Sequence, residues 1–256
     1  MARNSNDSML NEEVDSIGLG RRDFGAIGLL AATSFNHGFK IARDVYVHGW
    51  TYGDPEARED ETHIPTLRKV EAQNKLDLNI VNLCLEPRNS INHGEDLSII
   101  ENRLSGLKEN LDVDASSYVL ELNDYRDSIE ETTVKQSEGL IRGIQNYLIE
   151  ENLNRFEEDD IVMYVADFDT ENGDYIGTSH QDSNAGAIAN KYDNKAHKLN
   201  QILHNTGHKL GLPHTITEDV MTWSPLKKVT SFRHVHGFSQ ESRDNLEKSI
   251  NYHLEN

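Results

Sequence analysis

Cysteine is nearly absent from this chain of 256 residues, in which Cys84 is the only one. An intrachain disulfide is therefore impossible, and no cluster of thiolates can compete for a metal ion. Long hydrophobic runs are also lacking, so no segment is a candidate membrane span. Basic residues are scarce, with Lys+Arg 25 against Asp+Glu 44 and a formal net charge of -19. This balance makes nucleic acid and anionic membranes poor partners.

The acidic residues are spread along the chain in short runs, as in Glu12-Glu13, Glu59-Asp60-Glu61 and Glu157-Glu158-Asp159-Asp160. Such a distribution predicts a strongly hydrated surface that is suited to high salt. An ordinary acidic protein has the same composition and stays open as an alternative, because net charge bears on solubility more than on fold.

The N-terminus carries a paired arginine, Arg21-Arg22, ahead of a short and weakly apolar run from Gly25 to Phe35. This arrangement resembles a twin-arginine export signal, which predicts a leader over residues 1–35 and a folded domain over residues 36–256. Export and surface acidity together indicate a secreted or cell-surface protein of a haloarchaeon. The alternative is an N-terminal helix that packs on the domain.

Segments with strand-like and helix-like patterns alternate beyond the leader. Partial alternation and β-branched residues predict strands at Asp44–Trp50, Leu78–Leu85, Ser117–Leu122 and Ile161–Ala166, and a short edge strand at Ala185–Ala189. Apolar residues three and four apart predict helices at Leu97–Leu107, Val134–Leu153, Lys195–Leu210 and Gln240–Leu254. This order predicts an α/β (α+β) fold, with a twisted mixed sheet and helices in an N-terminal lobe and a small irregular C-terminal lobe that ends in a helix.

One stretch, His204-Asn-Thr-Gly-His208-Lys-Leu-Gly211-Leu-Pro-His214, has the spacing of a metal site. His204 and His208 project from one face of a helix, because about 3.6 residues make a turn. Gly211 readily takes the left-handed conformation that ends a helix and lets the chain turn back. Three imidazoles with an open fourth position are typical of a catalytic zinc site. We therefore predict that His204, His208 and His214 bind Zn²⁺.

This stretch resembles the signature of the metzincin zinc peptidases, H-E-x-x-H-x-x-G-x-x-H followed by a turn that contains methionine. Every position matches except one, since Asn205 stands where the family carries its catalytic glutamate. Downstream, Asp219-Val-Met-Thr-Trp223 is similar to the Met-turn. The resemblance implies that Met221 forms an apolar floor beneath the metal, whereas an ordinary core methionine is the alternative. Trp223 occupies the position at which some members carry a metal-binding tyrosine.

The resemblance implies a metzincin-like fold and hydrolysis of peptide bonds in a peptide or protein substrate. In that chemistry the glutamate takes a proton from the attacking water and delivers it to the leaving amine. An amide cannot accept this proton, so Asn205 orients water at most. Three outcomes stay open: a slow or altered hydrolase, rescue by another carboxylate such as Glu218 or Asp219, or a zinc-binding pseudoprotease that acts in peptide or surface recognition. The sequence makes no prediction about oligomeric state.

Other polar clusters give weaker signals. The run from Asp167 to Asp174 lacks the glycine and glutamate positions of a calcium loop and indicates a solvated turn. His234 and His236 would occupy alternate positions on a strand, either as a rival metal pair or at the surface. Glu218 and Asp219 lie at a turn, where capping or solvation is the expected role. No serine-hydrolase, phosphate-loop or dinucleotide motif is present.

Overall fold

The computed structural model describes residues 62–83, 90–91, 94–120, 156–166, 177–179, 184–189, 194–215, 219–222 and 234–255. The predictions for the leader, the strand Asp44–Trp50, the helix Val134–Leu153 and the run Asp167–Asp174 lie outside these residues. None of the described helices is long and apolar enough to cross a lipid bilayer.

Five strands of the described residues form one mixed sheet: β1 Lys75–Leu83, β2 Asp112–Leu120, β3 Ile161–Ala166, β4 Gly177–Ser179 and β5 Ala185–Ala189. Their order is β2-β1-β3-β5-β4. β1 pairs in parallel with β2 and β3, and β3 pairs in parallel with β5, whereas β4 is antiparallel to β5. The predicted mixed sheet is confirmed. The edge position predicted for Ala185–Ala189 is wrong, because β4, which is too short to show a sequence pattern, lies outside it.

Four helices of the described residues accompany the sheet: α1 Ile64–Gln73, α2 Gly94–Leu104, α3 Lys195–Lys209 and α4 Gln240–Glu255. The last three confirm predicted helices, although α2 begins earlier than expected and continues into a 3₁₀ turn at Ser105–Leu107. Helix α1 was not predicted. Pro65 suits its first turn, and the helix ends at Asn74, whose φ of 51° is left-handed.

One cluster of buried apolar side chains joins all four helices to the sheet. Leu76, Leu78 and Ile80 lie at alternate positions of β1 and therefore share one face. β3 is buried along its whole length, as is usual for a strand inside a parallel sheet. The helices contribute Leu67, Val70, Ile100, Leu104, Leu199, Ile202, Leu203, Leu246 and Ile250. Because α3 contacts β3, β4 and β5, the core fixes the helix that carries the histidines across this half of the sheet.

His63 connects the start of α1 to the end of α3. Its backbone N–H donates to Lys209 O at 2.9 Å, and its Nδ1 lies 2.8 Å from Thr66 Oγ1. The Thr66 hydroxyl donates to Asp159 O, so its oxygen accepts from His63 Nδ1–H. Burial, and then the charge of Lys209, lower the pKa of His63 to about 4, while Asp159 opposes this shift. The imidazole is therefore neutral at neutral pH.

The low pKa of His63 predicts destabilisation at mildly acidic pH. Between pH 6.5 and about pH 4 the unfolded chain binds a proton that the native imidazole does not, so the free energy of unfolding falls as pH falls through this window. His63→Gln removes this titration and should flatten part of the pH dependence. Urea unfolding midpoints of both proteins at about pH 7 and about pH 5, in the presence of a chelator, would test the expectation. An equal change of midpoint in the two proteins would contradict it.

Candidate metal centre

Helix α3 positions the first two histidines of the predicted site. The helix begins after Asn194, whose side chain accepts a hydrogen bond from His197 N–H at 3.0 Å. His204 and His208 lie one turn apart, and their Nε2 atoms are 3.0 Å from each other. His208 is buried and His204 is half-buried, so both rings lie largely within the protein.

The chain reverses immediately after α3. Gly211 N–H donates to His208 O, and Leu212 N–H donates to Gly207 O, both at 2.9 Å. This pair of hydrogen bonds is the Schellman motif, which requires a left-handed residue at its centre. Gly211 has a φ of 74°, so the conformation predicted for it is confirmed. The reversal returns His214 to α3, where its Nε2 lies 3.2 Å from that of His204.

The three Nε2 atoms have the spacing of zinc ligands. Tetrahedral zinc with Zn–N distances of about 2.0–2.1 Å separates its nitrogen ligands by roughly 3.3 Å, close to the observed 3.0 and 3.2 Å. His204 Nδ1 lies 2.8 Å from Val220 O, and His208 Nδ1 lies 2.9 Å from Leu212 O. Since a carbonyl oxygen only accepts, both Nδ1 atoms carry the hydrogen, and both Nε2 atoms present lone pairs. The residues therefore fit a zinc ion.

Met221 packs against α3 at a glycine. Met221 is fully buried, and a Cβ at Gly207 would overlap its Sδ and lie 3.4 Å from Leu212 Cδ1. The absence of a side chain at Gly207, the residue before His208 in the chain, thus leaves the space that Met221 occupies. Our sequence analysis did not identify Gly207. The available signal was a glycine inside a helix, where it costs about 1 kcal/mol relative to alanine. Trp223, the last residue of the predicted turn, lies outside the described residues.

Asp219 is not the solvated turn residue that was offered as one alternative. It is only 2% exposed, and its carboxylate accepts hydrogen bonds from the Met221 backbone and from neighbouring hydroxyl groups. The capping alternative is therefore confirmed. Burial alone would raise the pKa of Asp219, but hydrogen bonds from Ser242, Ser239 and Thr215 hold it below its usual value. A carboxylate so stabilised is a poor proton acceptor and does not suit the role of the missing base. Glu218 lies outside the described residues.

Asn205 follows His204 on α3 and is 3% exposed. Its Nδ2 has no hydrogen-bond partner among the described residues. Leaving a buried amide donor without an acceptor costs about 1–3 kcal/mol. An acceptor supplied by a bound ligand or by water would remove this cost.

A second group of acidic side chains, Glu157, Asp159 and Asp160, also has the proximity of metal ligands. Lys69 Nζ lies 2.9 Å from Asp159, 3.4 Å from Asp160 and 2.7 Å from Asp77. The lysine therefore offsets part of the negative charge of this group. The cluster fastens α1 to β1 and to the turn before β3.

The strand expected for His234 and His236 is not observed, because residues 234–239 are irregular. Asn200 of α3 holds this segment instead, since its Nδ2 donates to His234 O at 2.7 Å and its Oδ1 accepts from His236 N–H at 2.8 Å. Within the described ranges, neither histidine belongs to a group of three or more possible metal ligands. The backbone groups of His234 and His236 thus hydrogen-bond to a side chain of α3 instead of to the backbone of a neighbouring strand.

Comparison with solved structures finds 56 matching chains, and three of them are metallopeptidases of low similarity to this chain. They are archaemetzincin from Methanopyrus kandleri (12% identity, TM-score 0.46, 70% of this chain and 98% of that chain), metalloproteinase-II from Bacteroides fragilis (14%, 0.46, 75% and 54%) and archaemetzincin from Archaeoglobus fulgidus complexed with malonate (14%, 0.40, 66% and 99%). No protein-family model matches the sequence, and no curated protein matches it.

The environment of Gly211 predicts that this position rejects a side chain. A Cβ there would overlap Ser249 Oγ of α4 and lie 3.0 Å from Thr62 Oγ1, and the left-handed backbone itself costs an L-residue about 1–2 kcal/mol. Gly211→Ala should therefore lower the free energy of unfolding by about 2 kcal/mol or more. Gly106→Ala is the matched control, because a Cβ at Gly106 meets nothing within 4 Å. Equal losses in urea unfolding of the two variants would contradict this account.

Proposed function

We propose that this chain is a zinc-dependent peptidase of the metzincin type, in which Asn205 weakens proton transfer. The observation that carries the proposal is the convergence of three Nε2 atoms while the Nδ1 atoms of His204 and His208 bond to backbone carbonyls. Such partners orient the imidazole ligands of zinc sites. When bound, zinc supplies Lewis-acid chemistry that polarises a substrate carbonyl and activates water.

An extended peptide is the substrate that the surroundings of α3 favour. In the described part of the chain β4 is the outer, antiparallel strand of the sheet, and it contacts α3. The outer edge of a strand offers backbone N–H and C=O groups to which an extended peptide binds as an added strand. A peptide bound along β4 would lie next to the helix that carries His204 and His208.

Asn205 limits what this centre can do. Its amide can donate through Nδ2 and accept a hydrogen bond through Oδ1, but it does not take up a proton at neutral pH. Because Nδ2 is buried and has no hydrogen-bond partner in the part of the chain that the structure describes, it suits a hydrogen bond to water or to a substrate carbonyl. A positioned general base contributes roughly 10²–10⁴-fold to a rate. We therefore expect hydrolysis that is slow for this class of peptidase.

A second candidate function is peptide binding without cleavage. The same substitution favours it, because Asn205 leaves the proposed metal ligands and the edge strand in place while removing the proton acceptor. In this alternative the chain is a zinc-binding pseudoprotease that recognises peptides or a surface protein. Catalytic assays separate the two candidates.

The proposal extends to the setting in which the protein acts. Arg21-Arg22 ahead of the apolar run supports twin-arginine export, and the net charge of -19 supports adaptation to high salt, as in a haloarchaeal protein. Both inferences come from the sequence. Residues 1–35, which include the paired arginine, lie outside the described ranges.

Removal of one imidazole tests the metal centre. His208→Ala should abolish stoichiometric zinc binding and the gain in thermal stability that zinc confers, because metal bound only by the folded state stabilises that state. His234→Ala is the control, since His234 is exposed and lies on the irregular segment. Zinc content measured by elemental analysis and melting curves with and without zinc provide the readouts. Equal zinc content in His208→Ala and wild type would refute the assignment.

Restoration of the carboxylate tests the catalytic proposal. Asn205→Glu should raise the rate of peptide cleavage by about 10²-fold or more, because it supplies the general base. Asn205→Gln introduces a side chain of nearly the same shape as glutamate but without its basicity, and this variant should give no gain in the cleavage rate. Cleavage of a peptide library by the zinc-loaded proteins in high salt measures both.

Two results would contradict the proposal that Asn205, in place of glutamate, slows hydrolysis. Wild-type activity equal to that of Asn205→Glu would show that another group transfers the proton. Bound zinc with no cleavage by either protein would favour the pseudoprotease, and peptide binding should then be measured directly.

A further inference from the structure

The carboxylate of Asp219 lies at the centre of a polar network that the proposed chemistry does not use. Its Oδ1 accepts from Thr215 Oγ1 and from Met221 N–H, both at 2.7 Å. Its Oδ2 accepts from Ser239 Oγ at 2.7 Å, from Ser242 Oγ at 2.6 Å and from Ser239 N–H at 3.2 Å. Within the described ranges no lysine or arginine forms an ion pair with Asp219, so hydrogen-bond donors compensate its buried charge.

These donors come from three separate parts of the chain. Thr215 directly follows the ligand His214, and its N–H donates to Met221 O at 3.3 Å. Met221 belongs to the turn that packs on Gly207. Ser239 and Ser242 lie at the start of α4, where the helix dipole also favours a negative charge. A single carboxylate therefore joins the third ligand, the methionine turn and the C-terminal helix.

The network reaches a metal ligand through the residue next to Asp219. Val220 O lies 2.8 Å from His204 Nδ1. On its other side Val220 N–H donates to Gly237 O at 3.0 Å. The Asp219 carboxylate fixes the following peptide through Met221 N–H. The carbonyl that orients His204 is thus held from both sides in a segment that is neither helix nor strand.

We propose that Asp219 is a positioning residue of the metal centre. Its carboxylate holds the Val220 carbonyl in place for His204, and through Thr215 it holds the backbone beside His214. This inference rests on the proposed zinc binding by the three histidines but does not require hydrolysis. A residue that only fastened α4 to the turn would affect the stability of the fold without changing the metal affinity of the folded protein.

Asp219→Asn tests the proposal with little change of shape. It removes the charge and turns an NH₂ group towards donors. We expect the zinc Kd of the folded protein, measured by competition with a chromophoric chelator, to rise by about 10–100-fold, as is typical when a partner of a ligand is lost. The absorption spectrum of the cobalt-substituted protein should change as well, because it reports ligand geometry.

Asp96→Asn is the matched control. Asp96 is comparably buried and pairs with Lys195 at 3.1 Å, at the start of α3 and outside the Asp219 network. This variant should lose stability while its zinc Kd and cobalt spectrum stay those of wild type. Melting of the metal-free proteins measures the structural effect of each substitution separately.

If Asp219→Asn does not fold, Thr215→Val removes the donor next to His214 and should also weaken zinc binding. Unchanged zinc Kd and cobalt spectrum in folded Asp219→Asn, or in Thr215→Val where the former does not fold, would overturn the proposal. Wild-type protein that binds no stoichiometric zinc would overturn the metal centre itself and this inference with it. Absence of peptidase activity would bear only on the proposed function.

Discussion

The left-handed turn at Gly211 is the constraint on which the candidate metal centre depends. If α3 continued through it, His214 would lie roughly 9 Å along the helix axis from His208, too far to share an ion. Helix α4 closes the reversal, since Ser249 occupies the space that a Cβ would need and its hydroxyl donates to Leu210 O at 3.1 Å. The geometry of three histidines within one short stretch therefore depends on a helix that begins at Gln240.

Backbone carbonyls of irregular segments orient two of the three imidazoles. Leu212 O follows the turn, and Val220 O lies in the methionine turn. Segments without helix or strand lack the repeated hydrogen bonds that fix a backbone, so side chains must fix it instead. Asn200 does so for residues 234–236, and Asp219 does so for residues 215 and 221. In these described segments, buried polar side chains thus take the place of regular hydrogen-bonding structure.

Helix α3 and the proximity of its two histidines to His214 could be predicted because their signals are local. A spacing of four residues, a glycine after the helix and a later histidine specify the site within one short stretch. Helix α1 was missed because its inner face includes a lysine. Lys69 is buried there only because it pairs with Asp77 of β1 and with Asp159 in the turn before β3. The hydrogen bonds from Ser239 and Ser242 to Asp219 were missed for the same reason, since these serines are 20 and 23 residues away. A polar side chain that is buried through partners far away in the sequence leaves no local sequence pattern from which its burial could be predicted.

The identity of residue 205 affects the charge of the candidate metal centre more than it affects the shape of the centre. His204, His208 and His214 are neutral ligands and Asn205 adds no charge, so a divalent cation held there keeps its full formal charge. A glutamate, as in the metzincin signature, would partly neutralise it. The uncompensated cation attracts carbonyl and anionic ligands more strongly, and a buried amide costs less desolvation than a buried carboxylate. The two proposed functions, slow hydrolysis and peptide binding without cleavage, therefore rest on one difference from the metzincin signature: Asn205 leaves the three histidines in place and lacks the proton-accepting carboxylate.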